Sequence, residues 1–158
     1  MYSTQDGFDF RGLAGQVSQV PFSADILSHQ IAKRLNHDRY AWLTTLAPDG
    51  LPVPMLVWFR FDVASVTVYS QPQSVRVTHV FEHPQVSLHL ESDGFGGGLV
   101  AIGGTASVTA EGVDPRNDTQ FWAKYHAEAE ALGMGEAIGS FSTRIAIQPT
   151  LLWTSLPT

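Results

Sequence analysis

The sequence contains no cysteine, which removes a disulfide framework, a thiolate nucleophile and any thiolate metal site from consideration. Charge is scarce as well: Asp, Glu, Lys and Arg make up only 15% of the 158 residues, so the chain is not a solvated acidic or basic tail. The 9 basic residues are outnumbered by 15 acidic ones, giving a formal charge of −6. Nowhere do Lys and Arg cluster densely enough to track a nucleic-acid backbone, so no nucleic-acid partner is expected. Long apolar runs are missing too. The longest, residues 55–59, is far below the roughly 20 residues that span a bilayer, so no membrane partner is expected. The first residues show no basic start followed by an apolar stretch, and a cytoplasmic protein without a cleaved signal is the expectation.

Hydrophobic residues reach 44%, enough for a packed core, and the length suits one domain. Residues 1–20, rich in Gly, Ser, Gln and Asp, read as an N-terminal arm, and residues 21–158 as the domain. Ile26, Leu27, Ile31 and Leu35 recur at helical spacing behind Ser23, which predicts an N-capped helix to about Asn36. From Tyr40 the period changes to two. Residues 40–46 predict a strand ended by the turn Pro48-Asp-Gly50, and residues 52–61 a strand apolar on both faces. Residues 66–70 form a third, and residues 75–83 a short helix stopped by Pro84. Residues 86–90 alternate again, the Gly-rich stretch 93–98 is a loop, and residues 99–113 are a long strand. Asp114-Pro115 opens a helix carrying Phe121, Trp122 and Tyr125, and residues 141–154 form a last strand broken by Pro149. Without βαβ alternation, the expected fold is mainly β, a six-stranded antiparallel barrel, partly open, with flanking helices.

Several motifs have plainer accounts. Gly96-Gly-Gly-Leu-Val-Ala101 satisfies the dinucleotide fingerprint, but a strand rather than a helix follows, and a hairpin loop explains it. His79-Val-Phe-Glu-His83 matches a zinc-peptidase pattern, yet Pro84 cuts the helix off at once, so no metal is expected. The carboxylate pairs Asp114/Asp118 and Glu128/Glu130 read as a solvated helix face. No catalytic residue is assigned. Tyr69-Ser-Gln-Pro-Gln-Ser-Val-Arg-Val-Thr-His79 is different: hydroxyls, an amide and a guanidinium meet where a strand ends and a helix begins, so all can converge on one phosphate. An exposed polar loop is the competing account.

Five pieces in order, Thr44-Thr-Leu-Ala-Pro-Asp-Gly50, Pro52-Val-Pro-Met-Leu-Val-Trp-Phe59, Tyr69-Ser through Ser74-Val-Arg76, His83-Pro-Gln-Val-Ser-Leu88 and Gly103-Gly-Thr-Ala106, resemble the pyridoxamine-5′-phosphate-oxidase-like split-barrel family. The likeness covers residues 23–154 and is closest to actinobacterial F420-dependent flavin/deazaflavin oxidoreductases. It implies a six-stranded split barrel with the cofactor phosphate held by Ser70, Gln71, Ser74 and Arg76, with His79 one turn beyond. It implies also that Pro54, Met55, Val57 and Trp58 flank the ring system. Val75 stands where the family has a basic residue, which weighs slightly toward the deazaflavin F420 over FMN. The resemblance further implies a homodimer with cofactor sites at the subunit interface.

On this basis the expected activity is an F420-dependent oxidoreductase that exchanges a hydride between the cofactor and a small conjugated substrate. FMN-dependent oxidation of pyridoxamine phosphate and a non-catalytic flavin, haem or bilin carrier are the alternatives.

Overall fold

The computed structural model describes residues 17–109 and 112–158. Among the described residues, eight strands lie in one antiparallel sheet: β1 Ser18–Pro21, β2 Ala41–Leu46, β3 Pro52–Val57, β4 Arg60–Asp62, β5 Ser65–Ser70, β6 Gln85–Leu90, β7 Val100–Thr109 and β8 Thr143–Thr154. Their order is β3-β2-β6-β7-β8-β5-β4, with β1 paired to the far half of β8. β3 and β4 stand at opposite ends of that order, yet only Trp58 and Phe59 separate them in sequence. The sheet must therefore curl until its edges approach each other at this corner. The result is a split antiparallel barrel, mainly β with flanking helices α1 His29–His37, α2 Val75–Glu82 and α3 Thr119–Ala131.

Inside, the alternating residues Leu43, Leu88, Ile102, Ile145 and Leu152 are buried, with Ile31 and Leu35 of α1 packed against them. Each such side chain contributes about 1.5–3 kcal/mol by leaving water. No described helix is long and apolar enough to cross a membrane.

The structure departs from the sequence-based expectations at several places. Asp114-Pro115 opens only a 3-10 turn, Pro115–Asn117, and α3 starts behind its own cap, Asp118. The first helix does not run from a Ser23 cap. Ala24–Ile26 is a single 3-10 turn, the chain extends at Leu27, and α1 starts behind Ser28, whose Oγ accepts the Ile31 N–H at 3.3 Å. That start still buries Ile31 and Leu35 one turn apart. The strand expected over residues 52–61 is two strands, because Phe59 has given up its ladder bonds. Its N–H is accepted by the Tyr125 hydroxyl at 2.9 Å, and its carbonyl accepts from Lys124 Nζ at 2.9 Å. β8 is bulged rather than broken at Pro149: Gly103 pairs Leu151 while Gly104 pairs Pro149, so Thr150 is the extra residue. A Cβ on Gly104 would lie 2.4 Å from Gln148 O, so only glycine fits that bulge. β1 and β4 raise the strand count from six to eight. Of the expected arm, residues 1–16 lie outside the described residues and Ser18–Pro21 is β1.

Candidate functional site

α3 crosses the corner where β3 gives way to β4, and that crossing builds a cleft. Tyr125 is buried beneath the corner, accepts the Phe59 N–H, and has Arg39 O at 2.8 Å and Phe59 O at 2.9 Å as alternative acceptors for its own proton. Its ring stacks on Trp58, with centroids 4.7 Å apart and planes 5° from parallel. Burial pushes the Tyr125 phenol far above its ordinary value. The anchored Trp58 and neighbouring Val57 form one wall of a cleft of about 300 Å³. Leu132, Met134, Ile138 and Phe141, from the end of α3 and the turns beyond it, form the other. Arg76 of α2, Tyr69 and Phe121 line it as well.

Among the described residues lining this cleft, Arg76 is the only one with a charged side chain. Its guanidinium is half-buried, Nε is buried without a hydrogen-bond partner, and among the described residues no carboxylate pairs with it. Burial alone lowers its pKa, since no neighbouring charge compensates. Ser70, 1% exposed at the end of β5, also has a buried hydroxyl oxygen without a partner. Buried polar atoms are nearly always satisfied, so Ser70 Oγ and Arg76 Nε are two exceptions within one strand–turn–helix unit, although Ser70, Gln71 and Ser74 are not among the residues lining the cleft. Ser74 stands at the N-cap of α2 with its side chain uncommitted, while its own N–H donates to Gln71 O at 2.9 Å. The eight-residue α2 thus directs its N-terminus, with its partial positive charge, from the same turn.

The other sequence-predicted residues are more dispersed. Gln71 Nε2 donates to Ser140 Oγ at 3.2 Å, tying the turn to the segment that carries Ile138. His79 is 5% exposed, with Nδ1 2.9 Å from Thr45 Oγ1, so the bond engages it toward β2. On β3, Pro54 is exposed and Met55 half-buried, and neither lines the cleft that Val57 and Trp58 line. Of the other motifs, His83 caps α2 and Glu82 is exposed, and no group of three His, Asp or Glu among the described residues stands ready for a metal. In the Gly-rich loop, Asp93 Oδ1 accepts the N–H groups of Phe95 at 2.8 Å and Gly97 at 3.0 Å, so those amides are unavailable to a pyrophosphate.

Asp118, read from sequence as solvated, is instead a hub. Its Oδ2 accepts from the Tyr69 hydroxyl at 2.7 Å and from Arg60 Nε at 2.9 Å, and its Oδ1 caps α3 by accepting the Phe121 N–H at 3.1 Å. Burial pushes its carboxyl upward, but these donors outweigh burial and hold it below the usual range. Burial and the bond to Asp118 push Tyr69 up to about 12, so it is a protonated donor at neutral pH. Asp118 thereby fixes Tyr69 in the cleft and α3 across the corner. The capping pattern Asp118-Thr-Gln-Phe was available in the sequence. The partners 49 and 58 residues away were not.

Residues 27–152 match the model of the family described as pyridoxamine 5′-phosphate oxidase. No curated protein matches the sequence. Among solved structures, an F420 reductase superposes with a TM-score of 0.59 at 17% identity, covering 78% of this chain and 96% of that one. General stress protein 26 of Bacillus anthracis superposes with a TM-score of 0.62 at 21% identity, covering 82% and 93%. A FAD-binding protein of Mesorhizobium loti gives 0.56 at 16% identity, covering 88% and 99%. At such identities the likeness is one of fold.

Proposed function

Because the chain belongs to the pyridoxamine 5′-phosphate oxidase family, we propose that it is an oxidoreductase using a phosphate-bearing flavin-type cofactor, the deazaflavin F420 in first place and FMN in second. The observation that carries this reading is Arg76, a half-buried cation with no counter-charge among the described residues in an otherwise apolar cleft. Holding such a charge partly out of water is costly unless an anion joins it, and a guanidinium suits a phosphate in two-point contact. The buried Ser70 hydroxyl, the free Ser74 cap and the start of α2 supply further donors, Gln71 closes the turn, and His79 supports it from beneath. These residues fit the phosphate of either cofactor, and the exposed Val75 adds no second charge.

When bound, the cofactor supplies the hydride chemistry. The chain's own groups bind and orient: Val57 and the Tyr125-backed Trp58 pack against the ring, Pro54 and Met55 extend that strand beside it, and the apolar walls exclude water. No residue is assigned as acid or base. Pyridoxamine phosphate oxidation is less well supported, since a second phosphate would find no further cation among the described residues lining the cleft. We further expect a homodimer, cytoplasmic, with a small-molecule substrate and the cofactor near the subunit interface.

The test is to titrate the purified protein separately with F420 and FMN. Binding tighter than about 100 μM is expected for at least one, because a phosphate contact plus a covered ring should exceed roughly 6 kcal/mol. Arg76→Ala should cost about 1.5–3 kcal/mol, or roughly 10- to 150-fold in Kd. Unchanged affinity in that variant would place the phosphate elsewhere, and a bound cofactor that never turns over with any acceptor would favour a carrier.

A further inference from the structure

Beside the start of α3 lies a polar crevice of about 400 Å³ that, among the described residues, shares only Tyr69 with the cleft. We propose that this crevice is a separate binding site for a small organic carboxylate, held by the guanidinium of Arg144 with the amide of Asn117 beside it. The sheet register sets up the cationic side. Arg144 on β8 stands opposite Tyr69 on β5 and Thr109 on β7, while Arg60 on β4 stands opposite Thr67, two residues before Tyr69. Arg60, Tyr69 and Arg144 therefore leave the same face of the sheet and meet in the crevice. The charge of Arg144 is felt at the Tyr69 hydroxyl: burial and Asp118 raise that phenol's pKa, and Arg60 and Arg144 pull against them.

The ion pairs around the crevice leave one cation over. Asp118 is matched by Arg60, whose Nε and Nη2 both lie 2.9 Å from Oδ2, and Asp114 by Arg116, whose Nη2 lies 2.6 Å from its Oδ2. Arg144, half-buried, pairs with no carboxylate among the described residues. A planar guanidinium with free donors suits a carboxylate in two-point contact, and Asn117, exposed at the rim, brings an amide N–H toward the same ligand. The two aspartates select the charge. A dianionic phosphate would meet Asp114 and Asp118 with twice the charge of a carboxylate, so the single charge is favoured. Half-buried Val113 lines the crevice as well and gives an organic body a surface to cover, which a bare inorganic anion would not use.

The probes are benzoate, its neutral isostere benzamide, and inorganic phosphate, each titrated into the purified full-length protein while backbone amide signals are followed by NMR. Benzoate is expected to shift the amides of Val113, Asn117 and Arg144 saturably, with a Kd of about 1–10 mM, the range for one partly exposed ion pair with a covered ring. Benzamide and phosphate are expected to bind there at least about fivefold more weakly. Arg144→Gln should bring benzoate to within about twofold of benzamide. Asn117→Asp, an exposed change that leaves the fold alone, should weaken benzoate at least about threefold and leave benzamide unchanged, and it decides the matter if Arg144→Gln does not fold. Equal binding of benzoate and benzamide, phosphate binding as tightly as benzoate, or a benzoate affinity unmoved in the folded variant overturns the proposal. So does a benzoate response at the amides around Arg76 in place of those around Asn117, since the anion would then be in the cleft. No arm of the experiment requires a cofactor, so its outcome is separate from that of the F420 and FMN titrations.

Discussion

Lys124 lies at the corner where Trp58 leads into β4, its ammonium donating to Phe59 O at 2.9 Å and standing 3.8 Å from the centre of the Phe59 ring. Burial, with Arg39 nearby, lowers its pKa from the ordinary 10.5 to about 8. The unfolded chain keeps this proton up to pH 10.5 while the native state gives it up near pH 8, so in that window the unfolded state binds more protons and stability rises with pH. Tyr69 works the other way. Its pKa, raised from 10.0 to about 12, contributes stability that is complete below pH 10 and lost only above it. Urea unfolding of the wild type is therefore expected to shift to a higher midpoint between pH 8 and pH 10, and Lys124→Met, similar in length but neutral, to show little such shift. A flat wild-type profile would contradict this account. At this scale the sequence already sets the Arg76 guanidinium beside hydroxyls and a helix start, because they are neighbours in the chain. It was uninformative for Asp118 and Lys124, whose partners lie 49 to 65 residues away.

Among the elements, α3 carries the site more than its composition indicated. Its buried face presents Phe121 and Tyr125 to the sheet, and Tyr125 alone replaces a ladder bond at Phe59 and backs Trp58. Tyr125→Phe keeps the stack but leaves the Phe59 N–H without its acceptor. The expected cost is about 1–3 kcal/mol in urea unfolding, with cofactor affinity changing much less than in Arg76→Ala. A Tyr125→Phe protein as stable as the wild type would show that water replaces the hydroxyl there. The hairpin of β2 and β3 was readable because its turn is local: Gly50, at φ 86°, donates to Ala47 O at 2.8 Å in the Pro-Asp-Gly sequence. The break between β3 and β4 was not, since residues 52–61 alternate without interruption and only α3 ends the pairing. The end of α3 sits between these cases. Gly133 directly after Leu132 is a legible stop, but its effect on Met134 depends on the turn it forms.

On the scale of the whole molecule, the sheet edge and its outer face bear on how a second copy would be met. β3 is an edge strand, and Pro52 and Pro54 deprive it of two N–H donors, so continuing the sheet by strand addition is disfavoured. The outer face offers an alternative. Leu56, Trp42, His89, Ala101 and Trp153 lie opposite one another across five neighbouring strands. Trp153 lies close over Gly103, where a Cβ would approach its ring to 2.9 Å, which keeps this row flat. Both indole N–H groups are already engaged, Trp42 with Glu91 Oε1 at 2.5 Å and Trp153 with Gln19 Oε1 at 2.9 Å, so the rings offer mainly apolar surface. A homodimer joined through this face should show twice the 17.2 kDa chain mass in sedimentation or light scattering. Ala101→Arg, a charge in the middle of the row and outside the barrel core, should convert it to monomer at about 50 μM without lowering the monomer's helix and strand content. Leu56 belongs both to this row and to the cleft, so the same variant is expected to weaken cofactor binding although it touches no phosphate ligand. A wild-type monomer at that concentration, or an Ala101→Arg dimer with unchanged cofactor affinity, would separate the cleft from any subunit interface on this face.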